Sequence, residues 1–253
     1  MRFIRYREGG AARYGALEGD EVRPLPGAPW EGGAPSGAAR PLASLELLPP
    51  VPAAKIVCIG RNYVAHAREL GHDVPTEPLI FLKPSTSLLP PGGTVLIPPE
   101  SSRVDYEGEL ALVIGRRARR VARGSWRDVV LGLTAGLDVT ARDLQKKDGQ
   151  WSRAKGFDTF CPLGPCVDTE LDPADLLVET RVNGEVRQSA RTTLMIFDVG
   201  TLVAHISAAM TLEPGDVILT GTPEGVGPLA PGDAVELAIE GLLPLRVSVA
   251  REG

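Results

Sequence analysis

Cysteine and histidine are scarce, with three of each in 253 residues. Cys58, Cys161 and Cys166 show neither a C-x-x-C pair nor a Cys/His zinc spacing, so they read as reduced, buried thiols and not as a disulfide framework. His66, His72 and His205 are too few for a zinc site built from histidines. Any metal must therefore be held by oxygen. No apolar run is long enough to span a membrane. The opening MRFIRYREGG lacks the apolar core of a secretory leader, which makes the cytoplasm the expected location. Basic excess is missing too: 27 Lys and Arg face 32 Asp and Glu, a net charge of -5. The one basic cluster, Arg116, Arg117, Arg119 and Arg120, has no aromatics interleaved and reads as a solvated turn after a strand. Neither nucleic acid nor a membrane is expected as a partner. No G-x-S-x-G elbow is present, so a serine hydrolase has no footing. The glycine-rich segment 221–227 (GTPEGVG) lacks the G-K-[ST] ending that a phosphate-binding loop requires.

What is present is strand-rich. Residues 1–24 form short strands broken by turns, followed by the Pro/Gly/Ala-rich loop GAPWEGGAPSGAARP. A small N-terminal β domain and linker is expected over 1–50, and the main domain over 51–253. Strands are predicted at 55–59, 79–83, 94–97, 107–114, 133–140, 161–167, 176–182, 185–188, 216–219, 234–239 and 243–249. Asn183-Gly184 marks a hairpin between two of them. Helices are predicted over 62–70, capped by Asn62 and stopped by Gly71, and over 196–210, where apolar residues recur at helical spacing. Strands and helices do not alternate regularly, which disfavours a Rossmann fold or a TIM barrel. The expected class is mainly β with some α, a mixed β-sandwich or roll with a few covering helices.

The segment DYEGELALVI (105–114) carries the most information. On a strand, Glu107 and Glu109 project to one face, and the apolar run after them places both near the core. Adjacent buried carboxylates repel and are costly to desolvate, so a cation must compensate. Asp138 adds a third acid in VVLGLTAGLDVT, where almost nothing else is polar. Three carboxylates suit Mg²⁺ or Mn²⁺. Pairing with nearby arginines on an exposed strand explains an E-x-E pattern equally well.

Other candidates are weaker singly. His66 and Glu69 stand three apart and share a helical face, where a carboxylate can fix a histidine's tautomer and raise its basicity; a solvated surface pair is the plain alternative. Lys155 is either a surface lysine or a stabiliser of negative charge developing on a substrate oxygen. Arg142 and Gln145 follow Asp138 on a short helix, facing substrate oxygens or, for Arg142, a structural ion pair. The 221–227 loop is a tight turn or a small anion nest in which Thr222 contributes its hydroxyl.

Taken in order, GRNYVAHARE, FLKPS, DYEGELALVIG, GLDVTARDLQ, KGFDTFCPLGP, VNGEVRQ and GDVILTGTPEGVG resemble the fumarylacetoacetate hydrolase family from Lys55 to the C-terminus. The N-terminal segment is similar to a small extra domain of many bacterial members. The resemblance implies the family's mixed β-sandwich roll, usually as a homodimer. It implies Mg²⁺ (or Mn²⁺) on Glu107, Glu109 and Asp138, and a His66–Glu69 dyad on a lid helix. It gives catalytic positions to Lys155 and Gln145 and substrate-side positions to Arg142, Thr222 and Lys83. The substrate class implied is a small 2-oxo or 2-hydroxy-dienoic acid. Isomerisation of 2-hydroxyhepta-2,4-diene-1,7-dioate, with 5-carboxymethyl-2-oxo-hex-3-ene-1,7-dioate decarboxylation, in homoprotocatechuate catabolism stands first. Acylpyruvate or fumarylpyruvate hydrolysis and oxaloacetate decarboxylation stand next. A metal-dependent binder of 2-oxo acids without catalysis is the rival from another class.

Overall fold

The computed structural model describes every residue except His72, which therefore lies outside the described residues. The chain is mostly β, as its pattern predicts. Ten strands follow one another across a large sheet in the order Arg40–Pro41, Glu21–Pro24, Ala11–Glu18, Arg2–Glu8, Cys161–Asp168, Val130–Leu137, Gly108–Ile114, Val217–Leu219, Ile56–Gly60 and Leu79–Lys83. A five-stranded sheet packs against it, ordered Glu185–Arg191, Leu177–Val182, Ala234–Ile239, Leu245–Arg251 and Thr94–Ile97. A three-stranded ribbon of Thr140–Ala141, Val104–Tyr106 and Gly227–Pro228 completes the roll. Neighbours are mainly antiparallel. Val217–Leu219 beside Ile56–Gly60 and Leu245–Arg251 beside Thr94–Ile97 run parallel.

The central strand Gly108–Ile114 is buried on both faces, which explains its unbroken apolar run. Leu110, Leu112 and Ile114 join a core with Val178, Leu237, Leu245 and the inward face of a helix. Ala111 and Val113 point the other way, into a second core with Phe3, Ile56, Leu163 and Leu219. The N-terminal strands are hydrogen-bonded into the same sheet, since Arg2 and Phe3 pair with Asp168 and Val167.

Four α-helices are present among the described residues: α1 (Val64–Glu69), α2 (Arg142–Asp148), α3 (Ser152–Gly156) and α4 (Val199–Ala209). None is long and apolar enough to cross a membrane. The expected cap on α1 is corrected: the residue before the helix is Tyr63, without a side-chain cap. The Asn62 side chain is drawn elsewhere, donating to the carbonyls of Phe197 and Thr220 and accepting from the Phe197 N–H. Gly71 does follow the helix with φ of 70°, as a stop signal should. Helix α4 begins three residues later than its apolar spacing implies, because Asp198 caps it by accepting from the Thr201 amide at 2.8 Å. The basic cluster after Ile114 is exposed at its four arginines. All three cysteines are buried and free.

Candidate active site

The acidic cluster forms where two neighbouring strands end. Glu109 lies opposite Gly136 in the ladder, and Gly108 lies opposite Leu137. The ladder then continues one step, with the Asp138 amide donating to the Glu107 carbonyl at 2.9 Å. Glu107, expected as the first residue of a strand over 107–114, lies just outside it, because the strand begins at Gly108. It occupies the break between Val104–Tyr106 and Gly108–Ile114, which belong to different sheets. That break turns its side chain in beside Glu109 and Asp138. Each of the three buried carboxylates offers an oxygen within 4.8 Å of the others.

Buried cations divide these acids into two kinds. The Lys155 ammonium donates to Glu107 Oε2 at 2.9 Å, Asp138 Oδ2 at 2.7 Å and Thr140 Oγ1 at 2.8 Å. Lys83 donates to Asp138 Oδ1 at 2.6 Å and to the Val139 carbonyl. Arg142 pairs with Glu107 and, through Nε at 2.9 Å, with Asp105. Glu109 has no such cation; its partner is the Gly221 amide, at 2.6 Å. The electrostatics follow. Burial pushes the Glu107 carboxyl up, but Lys155 and Arg142 overcome this and hold it well below the usual carboxylate range. Burial, with Asp138 and Glu107 alongside, drives the Glu109 carboxyl well above that range. Burial opposes the Lys155 charge, yet Asp138 and Glu107 raise its pKa above that of an ordinary lysine. A cluster of hard oxygen donors, one of them in no ion pair among the described residues, is a donor set for a hard divalent cation.

These groups open into a cavity of about 470 Å³, a size suited to a small organic ligand. His66 forms part of its wall and is buried. Its Nδ1 stands 3.3 Å from Glu69 Oε2, and Glu69 Oε1 accepts from the Gly225 amide at 3.0 Å. Glu69 therefore ties α1 to the glycine loop while orienting the ring. Burial lowers the His66 pKa, against the pull of Glu107 and Glu69, which favours the neutral imidazole. With Nδ1 engaged by Glu69, Nε2 is left as the proton acceptor.

Comparison with known proteins decides the family. Residues 55–250 match the Fumarylacetoacetate (FAA) hydrolase C-terminal family, and residues 1–50 match the Rv2993c-like, N-terminal family. The chain belongs to the fumarylacetoacetate hydrolase family. Oxaloacetate tautomerase FAHD1, mitochondrial, of Arabidopsis thaliana is 49% identical over 203 residues, covering 78% of this chain and 91% of that protein. The structure of 2-hydroxyhepta-2,4-diene-1,7-dioate isomerase from Mycobacterium marinum superposes with a TM-score of 0.93 at 46% identity, covering 100% of this chain and 99% of the other. That of 5-carboxymethyl-2-hydroxymuconate delta-isomerase from Mycobacterium smegmatis gives 0.94 at 45% identity, with both chains covered completely.

Of the site positions that the family resemblance singles out, eight line the cavity, namely His66, Glu107, Glu109, Asp138, Arg142, Gln145, Lys155 and Thr222, and Glu69 stands behind His66. Lys83 is fully buried beneath Asp138 and meets the cavity only through that carboxylate. Lys155, which as an isolated lysine reads first as a surface residue, is buried to 2% exposure on the short helix α3, which the sequence pattern does not reveal. Arg142 forms structural ion pairs and also donates to Gln145 Oε1 at 3.0 Å, which leaves the Gln145 amide NH₂ facing the cavity. The Thr222 hydroxyl donates to the Gly108 carbonyl at 3.0 Å and accepts from Gln188 at 2.8 Å. Two supporting residues escape motif reading. Asp105 is fully buried and anchors Arg142 and Arg103; Gln188 bridges the Gly108 amide to the Thr222–Pro223 loop. Their signal in sequence was only a polar residue at a strand position.

Proposed function

We propose that the protein is an Mg²⁺- (or Mn²⁺-) dependent enzyme of 2-oxo acids and their enols, with 2-hydroxyhepta-2,4-diene-1,7-dioate isomerase, of the kind that also decarboxylates 5-carboxymethyl-2-oxo-hex-3-ene-1,7-dioate, as its activity. The observation carrying this is that one cavity holds three carboxylates, a buried lysine and a buried histidine braced by a glutamate. Glu107, Glu109 and Asp138 would hold the cation, which when bound supplies Lewis acidity toward the oxygens of a 2-oxo carboxylate. His66 Nε2 takes a proton from a carbon next to the oxo group and returns it along the conjugated chain. Glu69 keeps Nδ1–H directed away from substrate and stabilises the imidazolium during transfer. Lys155, whose three N–H donors go to Glu107, Asp138 and Thr140, supplies positive charge close to the oxygen on which negative charge grows. The Gln145 amide offers a donor to a substrate carboxylate.

Oxaloacetate is the second reading, supported by the relative named oxaloacetate tautomerase and by the shared chemistry of proton transfer beside a 2-oxo group. Acylpyruvate hydrolysis needs the same residues, with His66 acting on water. On this proposal the enzyme is a cytoplasmic homodimer built from a 1–50 domain and a 51–253 catalytic domain. The test is turnover of 2-hydroxyhepta-2,4-diene-1,7-dioate, oxaloacetate and acetylpyruvate with Mg²⁺ and then with EDTA. Metal-dependent loss of the dienedioate supports the first reading, and loss of oxaloacetate alone supports the second. Binding of oxalate without turnover of any of the three would make the protein a binder.

A further inference from the structure

Five cations border the cavity or lie just beneath it, and they fall into two sets. Lys83, Lys155 and Arg142 are committed to buried carboxylates. Arg61 and Lys146 also line the cavity, but take part in no ion pair among the described residues. Lys155 is deep, whereas Arg61 is half-buried and Lys146 is exposed on α2, which puts these two toward the mouth. Aromatic side chains lie close to both sets. The Lys155 ammonium is 4.9 Å from the Phe81 ring centre and 6.0 Å from that of Trp151, and the Arg61 guanidinium is 5.8 Å from Trp151. One indole thus lies close both to an inner, ion-paired cation and to an outer one that has no ion pair among the described residues.

Arg61 is also held in an unusual way. Its φ is 58°, in the left-handed region that non-glycine residues seldom adopt. Before it, Gly60 has no room for a Cβ, which would meet Trp151 at 2.8 Å. After it, Asn62 is tied to Phe197 and Thr220 through its side chain. The arginine is therefore projected from a backbone pinned on both sides. A pinned, unpaired guanidinium at a cavity wall is suited to an anionic group on a ligand.

We infer that Arg61 and Lys146 form a subsite for the distal carboxylate of a 2-oxo dicarboxylic acid, with Phe81 and Trp151 against the chain between the two ends. This selects diacids over monoacids of equal length, and it rests on the proposed 2-oxo acid function. The test is calorimetric binding of 2-oxoadipate and 2-oxohexanoate to the Mg²⁺-loaded protein. The two ligands share six carbons and differ in ending on carboxylate or methyl. Wild type binds 2-oxoadipate about tenfold or more tightly, the increment of charged hydrogen bonds. The Arg61→Gly/Lys146→Met double variant loses this preference while keeping its affinity for 2-oxohexanoate within about twofold, since the head-group site is untouched. Glycine accommodates the backbone at position 61; should that variant unfold, Arg61→Asn tolerates the same φ. Equal binding of both ligands by wild type, or a preference that survives in the double variant, overturns the subsite alone. Binding of neither ligand overturns the 2-oxo acid function and the subsite with it.

Discussion

Replacing Glu109 by glutamine separates metal binding from folding in a way that replacing Glu107 does not. Without metal, Glu109 has no ion pair among the described residues, and its carboxyl is pushed well above the usual range by burial next to Asp138 and Glu107. Glutamine is close in shape to the protonated acid and still accepts from the Gly221 amide. Metal-free Glu109→Gln should therefore unfold within about 2 °C of wild type, as for a change of less than 1 kcal/mol in a chain of this size. Glu107 is different, because it pairs with both Lys155 and Arg142. Glu107→Gln strands buried positive charge, a loss of about 3–5 kcal/mol that lowers the unfolding midpoint by about 6–20 °C. Metal reads the other axis. A cation at 100 times its Kd stabilises the folded state by about 2.7 kcal/mol, an upward shift of about 5–11 °C. Wild type should show this shift on adding Mg²⁺ after EDTA treatment, and both variants should lose it. Differential scanning fluorimetry measures all six states in one plate. A full Mg²⁺ shift in Glu109→Gln would refute the ligand assignment. A metal-free Glu107→Gln as stable as wild type would refute the ion-pair argument.

Four further outcomes are expected. His66→Ala should retain the Mg²⁺-induced shift but lose about 10²–10⁴-fold in kcat, the usual size of a missing general base; unchanged turnover would remove His66 from the chemistry. Because burial lowers the His66 pKa, the ring stays neutral below the ordinary value, and the acid limb of kcat/KM should lie below about pH 6.5; a limb above that value contradicts the assignment. Asp198→Ala should cost about 1 kcal/mol at pH 7 through loss of the α4 cap. The Arg123 hydrogen bond, against burial, lowers the Asp198 pKa to about 2, so this contribution is present above the ordinary aspartate value and fades as pH falls through about 2; a difference from wild type that grows in acid would refute it. Gly132→Ala would set a Cβ 2.4 Å from the Asp168 carbonyl oxygen, and overpacking of about 1–3 kcal/mol should appear as a lower urea midpoint, an unchanged midpoint counting against the packing argument.

Local pattern was enough for most strands and for the identity of the acids. The alternation and β-branched content of segments such as 234–239 express burial on a pleated surface, which is a near-neighbour property. Pattern failed where a distant partner competed. Asn62 reads as a cap because asparagine next to an apolar helix usually bonds the local backbone, but Phe197 and Thr220 offer it three bonds from elsewhere in the fold. Glu107 reads as the first residue of a single strand, because nothing local marks Val104–Tyr106 as a separate strand in another sheet.

By itself the sequence determined the β-rich class, the oxygen-ligand chemistry and the candidates Glu107, Glu109, Asp138, His66 and Glu69, since composition and short-range spacing are written along the chain. Tertiary structure alone decided that Lys155 is buried against two of those acids, and that, among the described residues, Glu109 and the cavity-wall Arg61 have no ion pair. The physical reason is that charge compensation in a low-dielectric interior depends on distances between side chains tens of residues apart, and those distances exist only once the sheets have packed.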